Sequence, residues 1–158
     1  MRSICKLGGL WLLMLLLSAA VRAQSGAAAA DVFSAVPPAG ALATPSGARY
    51  VVRQLGTGAV PAPGHRCRVY YRGFLPTGEP FDSTARPAKP LRLRVGRGEV
   101  IRGWDELLLL LPAGSRAWVW IPAQLAYGPA GVRRPDDEDH YLIPPNTDLV
   151  FDLEVLAE

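Results

Sequence analysis

Hydrophobic and polar side chains alternate along five short segments of the chain, each bounded by glycine or proline. In the segment Leu91-Arg92-Leu93-Arg94-Val95, every second residue is aliphatic and the residues between are arginines. A period of two places the aliphatic side chains on one face of a strand and the charged ones on the other. The pattern predicts an antiparallel sheet with one buried and one solvated face, with strands at 48–55, 67–74, 91–95, 117–121 and 149–156.

One segment, residues 105–111, has the composition of a helix. Asp105 and Glu106 come first, where carboxylates complement the positive end of a helix dipole, and Pro112 follows five leucines and ends the segment. Because five consecutive leucines leave no polar stripe, most of this short helix needs to be covered. The sheet offers that cover, so the sequence predicts an α+β fold in which a curved antiparallel sheet wraps around one short α-helix.

The first 23 residues are typical of a secretory signal peptide. Arg2 and Lys6 precede an apolar run at 7–21, and small residues suited to cleavage follow. The run is shorter than the roughly 20 residues of a membrane-spanning helix, and an uncleaved inner-membrane anchor is the alternative. We therefore expect export to the periplasm or beyond. A flexible Ala/Pro-rich tether is expected at 24–45 and a folded domain at 46–158.

The basic character of the chain comes from this N-terminal segment. The whole sequence has 17 Lys and Arg against 14 Asp and Glu, and residues 1–23 contain three of the basic residues and none of the acidic ones. Beyond residue 23 the formal charges balance. Composition therefore gives no reason to expect nucleic acid or an anionic membrane as a partner.

Residues that commonly bind metals or act as nucleophiles are few and isolated. Cys67 is the one cysteine beyond the signal peptide, and its place in an alternating segment predicts a small buried hydrophobic side chain. His65 and His140 have no spaced Cys or His partners, and the acidic residues 136–139 lack the spacing of a calcium loop. We therefore expect the two histidines and the acidic residues to be solvated. We expect no metal, no cofactor and no covalent catalysis.

Four separate stretches set aromatic or branched aliphatic side chains among residues that form turns. Together they could build a concave apolar pocket with two polar groups, the Asp82 carboxylate and the Tyr127 hydroxyl. Such a pocket binds an apolar group and polarises it little. The alternative is that these side chains are plain core, but a carboxylate inside an apolar cluster is costly without a partner. The sequence thus favours a pocket.

These stretches also resemble a known family. The motifs are Val69-Tyr70-Tyr71-Arg72-Gly73, Gly78-Glu79-Pro80-Phe81-Asp82-Ser83, Val100-Ile101-Arg102-Gly103-Trp104, Pro122 with Leu125-Ala126-Tyr127-Gly128, and Ile143-Pro144-Pro145 with Leu149-Val150-Phe151-Asp152. They occur in the order seen in FKBP-type peptidyl-prolyl cis/trans isomerases. Each motif alone is weak, but five in order across residues 46–158 are specific. The chain is identified as resembling a secreted bacterial member of this family.

The resemblance implies a pocket between the sheet and the helix, and an activity, rotation about the peptide bond before proline. Trp104 would form the pocket floor, and the Tyr71 hydroxyl would pair with Asp82. The Ile101 N–H and the Tyr127 hydroxyl would donate hydrogen bonds to carbonyls of the ligand. The catalytic residues implied are Tyr71, Phe81, Asp82, Trp104, Tyr127 and Phe151, and the substrate-binding residues are Leu91, Val100, Ile101 and Ile143.

The same resemblance implies partners, namely proline-containing peptides, unfolded exported proteins and macrolide inhibitors. Leu91 stands where the family commonly has an aromatic residue, so the pocket should be wider there and tight macrolide binding is a weaker expectation than isomerase activity. The alternative function is a non-catalytic chaperone module that binds proline or a protein partner.

Three further features depart from the family pattern. Arg86 could replace an arginine that supports the aspartate in other members, and the long loop at 132–141 could act as a flap over the pocket. Alternation points Trp118 and Trp120 away from the core face. They could form an aromatic–arginine cluster with cation–π contacts, or a surface for a protein partner or self-association.

Overall fold

The computed structural model describes residues 33–84 and 89–156. The predicted signal peptide, the first part of the predicted tether and Arg86 lie outside these residues. In the described part of the chain, no helix is long and apolar enough to cross a membrane.

Seven strands form one antiparallel sheet. Its order is β1-β2-β6-β9-β3-β4, and β5 pairs with the end of β3 that β4 leaves open. A separate pair, β7 and β8, forms a hairpin. The strands are β1 (Leu42–Ala43), β2 (Arg49–Gln54), β3 (Arg66–Phe74), β4 (Pro80–Ser83), β5 (Leu91–Arg94), β6 (Arg116–Ile121), β7 (Val132–Arg134), β8 (Asp137–Ile143) and β9 (Leu149–Leu156), and the helix α1 is Arg102–Leu108.

All five predicted strands are present, with ends that differ by no more than one residue. The prediction of a loop at 132–141 is wrong, because β7 and most of β8 lie in this segment. This hairpin escapes pattern analysis since its residues 133–140 are all exposed and so show no alternation. Its strands are joined by the Arg133 guanidinium, which lies 4.1 Å from the centre of the Tyr141 ring and donates to the Glu138 carbonyl at 2.7 Å.

The helix lies three residues earlier than predicted, at Arg102–Leu108 instead of 105–111. The Asp105 carboxylate does not begin the helix. It accepts hydrogen bonds from the N–H groups of Gly96 and Gly98, at 2.8 and 2.7 Å, and so ties the preceding turn to the helix. A β-carbon at Gly103 would lie 2.7 Å from Ile121 Cγ2, so the glycine lets α1 pack closely on β6.

The main core lies between α1 and the inner face of the sheet. Leu107 and Leu108 of the helix are fully buried, as are Val69, Val119 and Leu153 of three neighbouring strands. Cys67 is 2% exposed in this core, so its prediction as a buried hydrophobic residue is confirmed. The α+β architecture follows because the leucines of the helix share one buried core with the apolar face of the sheet.

The outer face of the sheet carries a second apolar cluster, which corrects the expectation that this face is solvated. Trp118 and Trp120 do lie on it, but they are only 4% and 7% exposed. Phe33 and Phe74 pack against them, and the Trp120 Nε1–H donates to the Ser34 carbonyl at 2.7 Å. These tryptophans are therefore not an accessible partner surface.

The cation–π alternative fits the outer cluster better. The Arg53 guanidinium lies 5.3 Å from the centre of the Trp118 ring. Part of the cover over the two tryptophans comes from Phe33 and Ser34, which the sequence places in a flexible tether. Phe33 packs on the cluster and β1 pairs with β2, so residues before position 46 contact the sheet. A single aromatic side chain in a segment of mostly small residues was too weak a signal to predict this contact.

Phe33 offers a direct test of this cover. We predict that Phe33→Ala lowers the free energy of unfolding by about 1–2 kcal/mol, less than the 3–5 typical of a fully buried phenylalanine because Phe33 is half-buried. Its tryptophan emission should shift to the red as water reaches Trp118. Urea denaturation measures the first effect and fluorescence the second. Val36→Ala is the control, since Val36 is 70% exposed; equal behaviour of the two variants would contradict the packing.

Candidate active site

A cavity of about 150 Å³ opens where the N-terminal end of α1 meets the inner face of the sheet. Nine of the ten side chains predicted for the site contribute to its lining, and the exception is Ile143. Glu99 lines the cavity as well, although the sequence analysis did not select it. The full lining is Tyr71, Phe81, Asp82, Leu91, Glu99, Val100, Ile101, Trp104, Tyr127 and Phe151.

Trp104 forms the floor. Its ring contacts Tyr71 and Phe151 edge-on, with centroid separations of 4.9 and 5.1 Å and interplanar angles of 83° and 75°. These are favourable aromatic geometries, and they fix the indole from two strands at once. The buried Trp104 Nε1 has no hydrogen-bond partner among the described residues, so packing alone orients the ring.

One wall is formed by Phe81 of β4 and Phe151 of β9, whose ring centres lie 5.7 Å apart at 84°. Between the two strands runs β3, which has Gly73 beside both rings. A β-carbon at this position would lie 2.5 Å from Phe81 Cζ and 2.9 Å from Phe151 Cε1. The absence of a side chain at Gly73 is therefore what gives the two rings their room.

Asp82 lies at the rim of the cavity and is exposed, which corrects the expectation of a carboxylate inside an apolar cluster. Its Oδ2 accepts a hydrogen bond from the Tyr71 hydroxyl at 2.5 Å, the partner implied by the resemblance. Its Oδ1 accepts from the Ser83 N–H at 2.7 Å. Exposure and two donors remove the cost that a buried carboxylate would carry.

Two hydrogen-bond donors border the cavity. The Tyr127 side chain is 41% exposed and stands before a short 3-10 helix, Gly128–Ala130. Ile101 is the residue that precedes α1, and its carbonyl accepts from the N–H groups of Trp104 and Asp105. Its own N–H has no hydrogen-bond partner among the described residues. Both donors can therefore bind a carbonyl of a ligand.

Ile143 does not join the cavity lining. It is 2% exposed and belongs to the main core at the end of β8. Glu99 was missed because an acidic residue in a turn carries no periodic signal. Its Oε2 accepts from the Arg94 N–H at 2.8 Å, which holds the turn after β5 next to the cavity.

The chemistry available is that of an apolar hollow with hydrogen-bond donors at its rim. Within the described residues, no group of three or more His, Cys, Asp and Glu side chains could hold a metal ion. His140 is exposed and pairs with Asp137 in the hairpin, at 2.6 Å. The site can desolvate and orient an apolar group, and it has no arrangement suited to nucleophilic attack.

Comparison with known proteins gives the family. The sequence model of the family of FKBP-type peptidyl-prolyl cis-trans isomerases matches residues 58–156. The chain is 38% identical over 138 residues to the outer membrane protein MIP of Legionella longbeachae, covering 86% of this chain and 55% of that protein. It is 41% identical over 96 residues to FK506-binding protein 1 of Kluyveromyces lactis, covering 61% and 78%. The chain belongs to the FKBP-type peptidyl-prolyl cis-trans isomerase family.

The bacterial relatives are longer than the region that matches. Against FkpA, an FKBP-type peptidyl-prolyl cis-trans isomerase of Aeromonas hydrophila, the identity is 38% over 118 residues, which are 75% of this chain and 40% of the relative. The chain thus spans about half of these two bacterial proteins.

Solved structures agree with the predicted fold. AtFKBP13 superposes with a TM-score of 0.67 at 34% identity, covering 73% of this chain and 96% of that one. A peptidyl-prolyl cis-trans isomerase of Pseudomonas syringae pv. tomato gives 0.64 at 31% identity, covering 89% and 93%. The predicted FKBP-like α+β fold is confirmed.

The two tyrosines of the site predict a pH dependence of stability. Burial raises the pKa of Tyr71, and the hydrogen bond to Asp82 raises it further. Burial and the charge of Asp82 raise the pKa of Tyr127. An unfolded tyrosine ionises near pH ~10. Above that pH the folded chain keeps protons that the unfolded chain has lost, so stability present below pH ~10 is lost as the pH rises.

We therefore predict that the free energy of unfolding of the wild type falls between about pH 10 and 11, and that it falls less steeply in Tyr71→Phe. Urea titrations at fixed pH measure both slopes. Equal slopes in the two proteins would show that Tyr71 is not held in its protonated form by its surroundings.

Proposed function

We propose that this protein catalyses cis/trans rotation about X–Pro peptide bonds. The observation that carries the proposal is the apolar cavity of about 150 Å³ with Trp104 as its floor. Apolar cavities of about this volume can hold a benzene ring, so a pyrrolidine ring fits as well. Membership of the FKBP-type peptidyl-prolyl cis-trans isomerase family supports the same activity.

The barrier to rotation arises from amide resonance. It amounts to about 18–20 kcal/mol, and unassisted X–Pro isomerisation takes tens to hundreds of seconds. The planar amide is more dipolar than the twisted one, because resonance separates charge. Transfer from water to an apolar cavity therefore costs the planar state more, and the barrier falls. Each ~1.4 kcal/mol of this difference raises the rate tenfold.

The cavity walls add shape to this effect. Phe81 and Phe151 meet edge to face at 84°, so they form an angled surface against which a proline ring is held while the preceding carbonyl turns. Catalysis then comes from interactions that are stronger in the twisted state. No proton transfer or covalent bond is required, which suits a site without a base or nucleophile.

Hydrogen bonds at the rim position the substrate. We assign the Tyr127 hydroxyl and the Ile101 N–H as donors to substrate carbonyls, as the family resemblance implies. The Tyr71–Asp82 hydrogen bond, at 2.5 Å, holds β3 and β4 together at the mouth of the cavity. Leu91, Val100 and Ile101 supply apolar contact along the remaining wall.

The proposed substrates are proline-containing segments of unfolded exported proteins. This choice of substrates rests on the predicted signal peptide. One relative is named an outer membrane protein, which agrees with export. A macrolide would extend beyond the cavity, because drug-sized ligands occupy pockets of roughly 300–1,000 Å³. The alternative of a non-catalytic partner-binding module loses one of its supports, since the two tryptophans are buried.

Isomerisation of short X–Pro peptides tests the proposal. We predict catalysis by the wild type. Phe81→Ala should lower kcat/KM at least about tenfold because a cavity wall is lost. Tyr127→Phe should lower it about three- to tenfold, the effect of one hydrogen bond. Asp82→Ala should weaken activity less than Phe81→Ala does. NMR exchange spectroscopy measures the rates without a coupling enzyme.

Leu110→Ala is the matched control, because Leu110 is 43% exposed and lies outside the cavity lining. It should keep wild-type activity. Rotation no faster than the uncatalysed reaction, in a wild type shown to be folded, would overturn the enzyme assignment.

A further inference from the structure

A second concavity lies next to the candidate active site. It is an open groove of about 740 Å³ along the ladder between β3 and β5. Four of the seven residues that line it are arginines, and we call it the arginine groove. Its lining is Arg66, Cys67, Arg68, Arg92, Leu93, Arg94 and Glu99.

The register of the strands concentrates positive charge in this groove. Arg66 lies opposite Arg94, and Arg68 lies opposite Arg92. Residues directly opposite each other share one face of a sheet, with β-carbons about 4.5–5.5 Å apart, and like charges there repel. Four guanidinium groups therefore stand on one face of a two-stranded ladder. A bound anion would relieve this repulsion.

Three arginines elsewhere on the same sheet are neutralised by carboxylates. Arg53 and Arg72 both form ion pairs with Asp152, and Arg116 pairs with Glu154. In the described part of the chain, no carboxylate forms an ion pair with Arg66, Arg92 or Arg94. The groove thus has cationic side chains that are available to an external carboxylate.

Glu99 connects the groove with the cavity, since it contributes to the lining of both. The Glu99 carboxylate accepts a hydrogen bond from the backbone N–H of Arg94. The lining of the groove thus has one acidic side chain and four basic ones. The cavity lies on the inner face of the sheet and the groove on its outer face, so a polypeptide with its proline in the cavity can reach the groove by passing Glu99 around the edge strand β5, at about 3.3–3.6 Å of reach per residue. An extended chain is the occupant that such continuity fits best.

We propose that the arginine groove binds acidic side chains of the polypeptide whose proline occupies the cavity, and so selects substrates with Asp or Glu near the proline. This inference rests on the proposed function. The contact lies away from the rotating bond, so it holds ground state and transition state alike. Acidic residues should therefore lower KM and leave kcat unchanged.

Matched peptides test the proposal. Each has one X–Pro bond and differs only in two Glu or two Gln residues, placed a few residues before or after the proline. At low salt, at least one Glu peptide should show a kcat/KM about threefold or more above its Gln partner, since exposed ion pairs are individually weak. The advantage should vanish near 1 M salt, where the Debye length falls to about 3 Å.

Substitution of the exposed arginines localises the effect. In Arg92→Gln/Arg94→Gln the Glu advantage should disappear while the rate on the Gln peptides stays at the wild-type level. Arg116→Gln, which removes a charge from the same sheet outside the groove, should keep the advantage. Relief of repulsion should leave the double variant at least as stable as the wild type to urea, which excludes misfolding as the cause.

The outcomes separate the two proposals. Failure to catalyse any peptide would overturn the isomerase function. Catalysis of Glu and Gln peptides with equal KM would leave the isomerase standing and overturn the groove proposal. Binding to anionic phosphatidylglycerol vesicles that depends on Arg92 and Arg94, without discrimination between peptides, would also overturn it and assign the groove to a lipid surface.

Discussion

The edge-on contacts of Trp104 with Tyr71 and Phe151 are the interaction on which the rest of the structure depends. They hold the first turn of a seven-residue helix against two strands that lie side by side in the sheet. The leucines further along the helix close the core completely. At the start of the helix, the rings of Trp104, Tyr71 and Phe151 meet at steep angles, which leaves a hollow. One short element thus seals the core at one end and keeps a binding cavity open at the other.

The two faces of the sheet are covered in different ways. The inner face packs on the helix, and the outer face has its own cluster, in which Phe33 and Phe74 pack against Trp118 and Trp120. This cover lets apolar residues occur on both sides of β6, which is buried along all but its first residue. Only the β3–β5 end of the outer face is left with a dense set of arginines. The asymmetry concentrates exposed charge next to the cavity and not around the tryptophans.

Periodicity predicted the parts of the fold in which one face is buried. The five alternating segments are strands in the structure, and nine of the ten site residues predicted from the family motifs line one cavity. Periodicity failed where burial is not one-sided. The β7–β8 hairpin has no buried stripe, and the tryptophans of β6 pack against Phe33, the one aromatic residue of the segment 33–45. The arginine groove depends on strand register, which links residues distant in sequence, and Glu99 lies in a turn that shows no alternation.

The central claim is that an empty apolar volume, more than any single reactive group, performs the catalysis. Gly73→Ala tests it most directly, because it keeps every cavity side chain and adds one methyl group beside Phe81 and Phe151. The measurement is kcat/KM for X–Pro rotation in a variant shown by circular dichroism to be folded. We predict a loss of about tenfold or more, since the displaced rings alter the hollow. Wild-type activity in a folded Gly73→Ala protein would contradict it.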